Sequence, residues 1–244
     1  MTARAGTALI TGAAKRLGRS MALALAAQGY DIALHYNGSE AEAQQLKPAL
    51  EVFGATVHLL QADLRDMQAV RQLVPQALAM ATAPLNVLIN NASAFFPRSF
   101  AETDAELLDL FFDLHLKTPF LLTQAFAAHC QTADVVGNVV NLTDIHIQKN
   151  PTAYMAYILS KKSLSDFTAL AAKTLGPQVR VNAIAPGHIL EPVAGNEDQS
   201  EVARQKAPMR RTGNVEDITA ALLSLLGNSY LTGQTLWVDG GLRL

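Results

Sequence analysis

One cysteine in 244 residues excludes an internal disulfide. A lone Cys130 suits a reducing compartment and reads as a buried thiol. A charge excess of either sign is also lacking: 19 basic residues face 21 acidic ones, for a net charge of -2. That balance gives no electrostatic footprint for a nucleic-acid partner. No apolar run approaches the roughly 18 residues that would span a bilayer. The opening stretch "MTARAGTALITG" passes straight into a strand-like run without a secretory signal, so the chain reads as cytoplasmic with no membrane partner. The six histidines lack the spacing with cysteines or acids that a metal site needs. Linkers, internal repeats and low-complexity segments are missing too, which favours one domain.

What the chain does have is material for a large core, with 50% hydrophobic and 16% charged residues. Seven short segments, "TALIT", "DIALHY", "TVHLL", "LNVLI", "VGNVVNL", "VRVNAIA" and "TLWVD", are continuously apolar, as strands are when both faces are covered. Amphipathic stretches lie between them: "RSMALALAAQ", "SEAEAQQLKPALEVF", "MQAVRQLVPQALAMA" and "LLDLFFDLHLKTPFLLTQAFAAHC". Pro48 and Pro75 blur the limits of two of these helices. The alternation predicts an α/β chain, a single-domain Rossmann-like doubly wound sheet of about seven parallel strands with helices on both faces. Residues 190–211 are polar by comparison and read as either a solvated loop or a lid.

In such sheets the first strand-to-helix turn usually holds phosphate. Here it is "ITGAAKRLGRS", in which Gly12 and Gly18 let backbone N–H groups approach an anion at a helix start. The spacing is T-G-x-x-x-R-x-G rather than G-x-G-x-x-G. After the second strand an NAD site usually carries an acid for the ribose hydroxyls. This chain reads His35, Tyr36, Asn37, Gly38, Ser39 before any acid, with Lys15 and Arg16 in the adjacent turn. A missing carboxylate beside two cations and a serine hydroxyl favours the 2′-phosphate of NADP(H).

The stretch "NLTDIHIQKNPTAYMAYILSKKS" contains Tyr157 and Lys161, four apart and therefore on one helix face. Tyr154 has Ile158 at that spacing and gains no cation. An ammonium beside Tyr157 is expected to lower the pKa of a phenol that ordinarily titrates near 10. Tyrosine and lysine at this spacing occur on many helices, so the pair needs company to carry weight.

That company is present. "TGAAKRLG", "ADL" at 62–64, "NNAS" at 90–93, "YILSK" at 157–161, "NAIAPG" at 182–187 and the final "LTGQTLWVDGG" follow one another in order. In these the chain resembles the short-chain dehydrogenase/reductase family over nearly its full length. The resemblance implies cofactor contacts at Gly12, Lys15, Arg16, Leu17, Gly18, His35, Tyr36, Asn37, Ser39, Asp63, Leu64, Asn91, Ala92, Ser93, Lys161, Pro186, Gly187 and Ile189. Two positions depart from the common pattern. Asp144 stands 13 residues before Tyr157, where the family usually has serine, and His115 stands where it usually has asparagine. Glu191 also replaces a common threonine.

Asp144 with Tyr157 and Lys161 retained resembles the pteridine reductase branch, and so does "NNASAFFP", in which Ser93 and Phe95 match the serine and the aromatic that contact the pterin. His115 with Asp144 is similar to the bacterial enzymes that reduce dihydromonapterin and dihydrofolate. The resemblance therefore implies Asp144, Tyr157 and Lys161 as catalytic residues and Ser93, Phe95, Asp144 and Tyr157 as pterin contacts. It also implies a homotetramer formed through the helices near 107–130 and 154–175. A carbonyl or alcohol oxidoreductase of the same family and a non-catalytic NADP(H)-binding sensor are the competing readings.

Overall fold

The computed structural model describes residues 4–190 and 198–244; Glu191 and part of the 190–211 segment lie outside the described residues. Seven strands form one sheet: β1 (Gly6–Ile10), β2 (Tyr30–Tyr36), β3 (Val57–Gln61), β4 (Leu85–Asn90), β5 (Gly137–Leu142), β6 (Val179–Pro186) and β7 (Thr235–Val238). All pairings are parallel, in the order β3-β2-β1-β4-β5-β6-β7. The order reverses between β1 and β4, which opens a crevice beyond the carboxyl ends of the central strands.

Both faces are covered, which explains the lack of alternation in strands such as β1, where all five residues are buried. On one face α1 (Arg16–Ala27), α2 (Glu40–Glu51) and α9 (Val215–Gly227) bring Met21, Leu25, Leu46, Leu50, Ile218 and Leu222 onto Ile10, Ile32 and Ile89. On the other, α3 (Met67–Met80), α5 (Thr118–Thr132) and α7 (Met155–Leu175) pack Leu73, Leu122, Phe126 and Ala172 against Leu9, Leu88 and Val139. The remaining helices, α4 (Ala105–Phe112), α6 (His146–Lys149) and α8 (Asp198–Lys206), stand around the crevice. Helix starts follow their side-chain chemistry. Asp66 accepts from the Gln68 N–H at 2.8 Å, Asp104 from the Leu107 N–H at 2.9 Å, and Asn214 forms a capping box with Asp217.

Three prolines behave differently, for a physical reason. Helices α2 and α3 run through Pro48 and Pro75, both of which are exposed. The carbonyls they leave unpaired, at Gln44 and Arg71, belong to exposed residues and can be hydrated. Pro119 is buried, and its ring would press on the carbonyl four residues back, that of His115. The stretch that reads as one amphipathic helix is accordingly interrupted by a π turn, Asp113–Lys117, between α4 and α5. That turn carries His115 inward, where it is 1% exposed.

Candidate active site

The crevice is a cleft of about 1090 Å³ along the strand ends. Every cofactor, catalytic and substrate residue nominated from the sequence lines it, from Lys15 and Ser39 at one end to Phe95 and Asp144 at the other. His115 lies behind its wall.

At the glycine end, the turn after β1 is held from below. Thr11 Oγ1 donates to the Ile89 carbonyl at 3.2 Å and accepts the N–H groups of Asn91 at 2.9 Å and Ala92 at 3.1 Å. Asn91 Nδ2 donates to the carbonyls of Thr11 at 2.8 Å and Gly12 at 3.1 Å. Asn91 therefore clamps the turn as well as lining the cleft. Gly12 has φ +63°, and Arg16 adopts the left-handed region at φ +53°, at a cost of roughly 1–2 kcal/mol. A Cβ on Gly18 would meet the Gly12 carbonyl oxygen at 2.2 Å, so only glycine lets α1 start this close to the turn.

His35 also serves the fold here. It accepts the Gly12 N–H at Nδ1, 3.1 Å away, and donates from Nε2 to the Ala62 carbonyl at 3.0 Å. Burial pulls its pKa down to about 4, so it stands neutral in the cleft floor. Tyr36 and Leu64 are buried beside it, while Asn37 and Gly38 are exposed. Lys15 pairs with Glu42 at 2.8 Å, but both partners are largely exposed, and such a pair is weak enough to yield to a phosphate. Asp63 is gripped by the Arg65 guanidinium at 2.6–3.1 Å and by its backbone N–H at 2.9 Å. Arg65, two residues past Asp63 of the "ADL" motif, lines the same cleft and was missed from the sequence.

At the other end, Asp144 follows β5. Its Oδ2 accepts the Tyr157 hydroxyl at 2.7 Å, and its Oδ1 accepts from His146 twice, from the backbone N–H at 2.7 Å and from Nδ1 at 2.6 Å. Burial raises the carboxyl pKa, but these bonds and the nearby His146 outweigh it, leaving Asp144 below the usual carboxylate value. The expectation for Tyr157 is reversed. Burial and the Asp144 carboxylate push its phenol well above 10, and no lowering by Lys161 offsets them. The physical reason is that Lys161 points elsewhere: its Nζ donates to the Leu142 carbonyl at 2.6 Å and lies 5.9 Å from the centre of the Tyr157 ring. Burial brings Lys161 itself down to about 8.

Phe95 is 41% exposed at the cleft mouth. Its ring stacks on Tyr154 with centroids 4.7 Å apart, meets Tyr157 edge-on at 5.0 Å and lies 6.2 Å from His146. Tyr154, set aside for want of a cation, is thus part of the aromatic wall. The sequence reading also passed over His146, although it stands two residues after Asp144, a separation at which Asp commonly bonds the backbone. Ser93 bonds His115 Nε2 at 2.9 Å. Pro186, Gly187 and Ile189 form the opposite lip, where a Cβ on Gly187 would meet the Asp239 Cα at 2.7 Å.

A glycine cradle at the switch point of a parallel sheet, sharing one cleft with a buried tyrosine, lysine and carboxylate, defines the class: a nicotinamide-dinucleotide oxidoreductase. The family follows from comparison. A family model described as enoyl-(acyl carrier protein) reductase, of the short-chain dehydrogenase/reductase group, matches residues 12–243, and the chain belongs to the short-chain dehydrogenase/reductase family. It is 36% identical to an uncharacterized oxidoreductase of Mycobacterium tuberculosis, MT0954, with 96% of this chain and 91% of that protein covered. It is 30% identical to the 3-oxoacyl-[acyl-carrier-protein] reductase FabG of Staphylococcus aureus, with 98% of both covered. Among solved structures, FolM alternative dihydrofolate reductase 1 from Brucella suis, in complex with NADP, superposes with a TM-score of 0.92 at 33% identity, covering 98% of this chain and 95% of that one.

Proposed function

We propose that this protein is an NADPH-dependent reductase of a pterin or dihydropterin. The observation that carries the reading is the 2.7 Å bond from the Tyr157 hydroxyl to Asp144. A ketone oxygen gains negative charge as it is reduced and needs a donor beside it. Here the phenolic proton is committed to a carboxylate, and the carboxylate itself only accepts. A pterin ring, with its amine and ring N–H groups, supplies the donors that such a wall can bind. Phe95 offers a flat platform for the heteroaromatic ring. The likeness to the Brucella FolM structure supports the same substrate class.

The glycine cradle fits a dinucleotide, because Gly12 and Gly18 leave backbone where any side chain would collide. Lys15, Arg16, Asn37 and Ser39 would meet the adenosine phosphate, and no acid directly follows β2 to repel it. Lys161, Asn91, Pro186, Gly187 and Ile189 would bound the nicotinamide end. Bound NADPH supplies a hydride. Asp144 and Tyr157 orient the ring, and Lys161 holds positive charge beside them. Tyr157 is too weak an acid to give up its proton cheaply next to Asp144, so reduction of a dihydropterin at C6 of its N5=C6 bond would draw the N5 proton from water.

NADPH oxidation measured with dihydromonapterin, dihydrobiopterin, dihydrofolate and a ketone panel tests the reading, with Asp144→Ser alongside. Turnover of pterins that falls by about a hundredfold or more in the variant is the expected result. Turnover of ketones alone would return the protein to the carbonyl reductases, the reading favoured by the FabG relative. NADPH binding without any turnover would make it a sensor. Tyr157→Phe should retain more activity on a dihydropterin than a ketone reductase would; near-total loss would count against a water-supplied proton. We further infer that the chain assembles as a homotetramer through the apolar faces of α5 and α7, where Phe120, Leu159 and Leu170 stand exposed.

A further inference from the structure

We propose that His115 is a positioning residue that turns the Ser93 hydroxyl away from the cleft, so that Ser93 meets the substrate only as a hydrogen-bond acceptor and selects ring N–H donors over carbonyl oxygens. The inference rests on the pterin reading and adds a specificity-determining pair to it.

Proton accounting along one buried chain carries the proposal. The chain ends at the backbone carbonyl of Tyr157, which can only accept. Ser160 therefore donates its hydroxyl proton to that carbonyl, 2.7 Å away. With its proton committed, Ser160 Oγ accepts from His115 Nδ1 at 2.8 Å. A neutral imidazole carries one N–H, here at Nδ1, so Nε2 presents a lone pair. That lone pair takes the Ser93 hydroxyl proton at 2.9 Å. The Ala94 carbonyl, 3.4 Å from the same hydroxyl, competes poorly for it.

The surroundings keep the imidazole neutral. His115 is buried against the rings of Phe111, at 5.8 Å, and Tyr157, at 5.4 Å. The charged group facing it is the Lys161 ammonium, and burial and that cation together hold its pKa well below the ordinary histidine value. Ser93 remains exposed to the cleft, and the Tyr157 hydroxyl oxygen is a second acceptor within its reach, a contact that lowers the phenol pKa. Donation to Tyr157 would leave the buried His115 Nε2 lone pair without a partner, which favours His115 as the acceptor. Three oxygens then meet the substrate with their protons turned elsewhere: Ser93 toward His115, Tyr157 toward Asp144, and Asp144 with no proton at all.

The first test uses the full-length, unmodified protein labelled with 15N-histidine, free of substrate. Long-range 1H–15N correlation should show His115 as the neutral Nδ1–H tautomer at neutral pH, with any titration displaced below the ordinary histidine range. An Nε2–H tautomer, or an imidazolium near neutral pH, would overturn the proposal whether or not any variant folds. The second test is steady-state kinetics with NADPH and a dihydropterin. Ser93→Ala and His115→Leu should each raise KM about tenfold with kcat within about threefold, and the double variant should be no worse than either alone. His115→Gln, which keeps a donor and an acceptor at similar separation, should recover most of the affinity. Unchanged KM in Ser93→Ala, while pterins are still reduced, would overturn the inference and leave the proposed function standing. Failure of the unmodified enzyme to reduce any pterin would overturn both, with NADPH binding and the histidine tautomer confirming that the site was intact.

Discussion

A phenol aimed into a carboxylate and a histidine buried neutral are both costly arrangements, and each leaves a measurable trace. His35 has a folded-state pKa of about 4 against an ordinary 6.5. Between those values the unfolded chain takes up a proton that the folded one refuses. Its contribution to stability is therefore unaffected above about pH 6.5, declines as pH falls, and reaches a loss of about 3 kcal/mol by pH 4. Urea unfolding at pH 7 and at pH 4.5 checks this. The loss between the two should be smaller in His35→Leu, even though that variant starts less stable because the Gly12 N–H loses its partner. At this scale the sequence was informative about identity and poor about direction. Tyr157 and Lys161 could be paired by their spacing on a helix, but the sign of the Tyr157 shift depended on where Lys161 Nζ pointed. It points to the Leu142 carbonyl, on a strand 19 residues away.

Elements set the geometry within which those residues work. Helix α1 begins close under the first turn because Gly18 has no side chain, and a Cβ there would meet a backbone oxygen that cannot swing aside. Gly18→Ala is expected to weaken NADPH binding by at least about tenfold and to lower stability by about 1–3 kcal/mol. Fluorescence titration and thermal unfolding would check the two effects separately. The π turn at Asp113–Lys117 is the element the hydrophobic pattern hid. The stretch is apolar at so many positions that the phase shift of a single π turn leaves no visible break, and only a buried Pro119 four residues after His115 signals it. The same signal at Pro48 and Pro75 meant nothing, because those prolines face water. Burial decides the outcome, and burial is a property of the packed molecule.

The whole molecule has further surface to account for. Phe120 on α5 is 48% exposed and Leu170 on α7 is 67% exposed, with the Phe120 ring 5.3 Å from that of Phe167. Monomers rarely leave such helix faces bare, and closed symmetric assembly would cover them. Sedimentation equilibrium should report a tetramer for the native chain, and Leu170→Glu should shift it toward smaller species with the sheet intact by circular dichroism. A monomer at micromolar concentration would remove the assembly proposal. Among the described residues no helix is long and apolar enough to cross a membrane.

The order of strands and helices, the glycine turn and the set of cleft residues were legible in the chain itself, because short-range chemistry controls them. Continuous apolar runs mark strands covered on both faces, glycines mark close backbone approach, and spacing on a helix pairs Tyr157 with Lys161. Only the tertiary structure decided which way the protons point. Tyr157 reaches Asp144 from α7, Ser93 meets His115 on the π turn, and His35 binds a glycine 23 residues earlier in the chain. Those bonds join groups that become neighbours only when the sheet is assembled and water leaves the cleft.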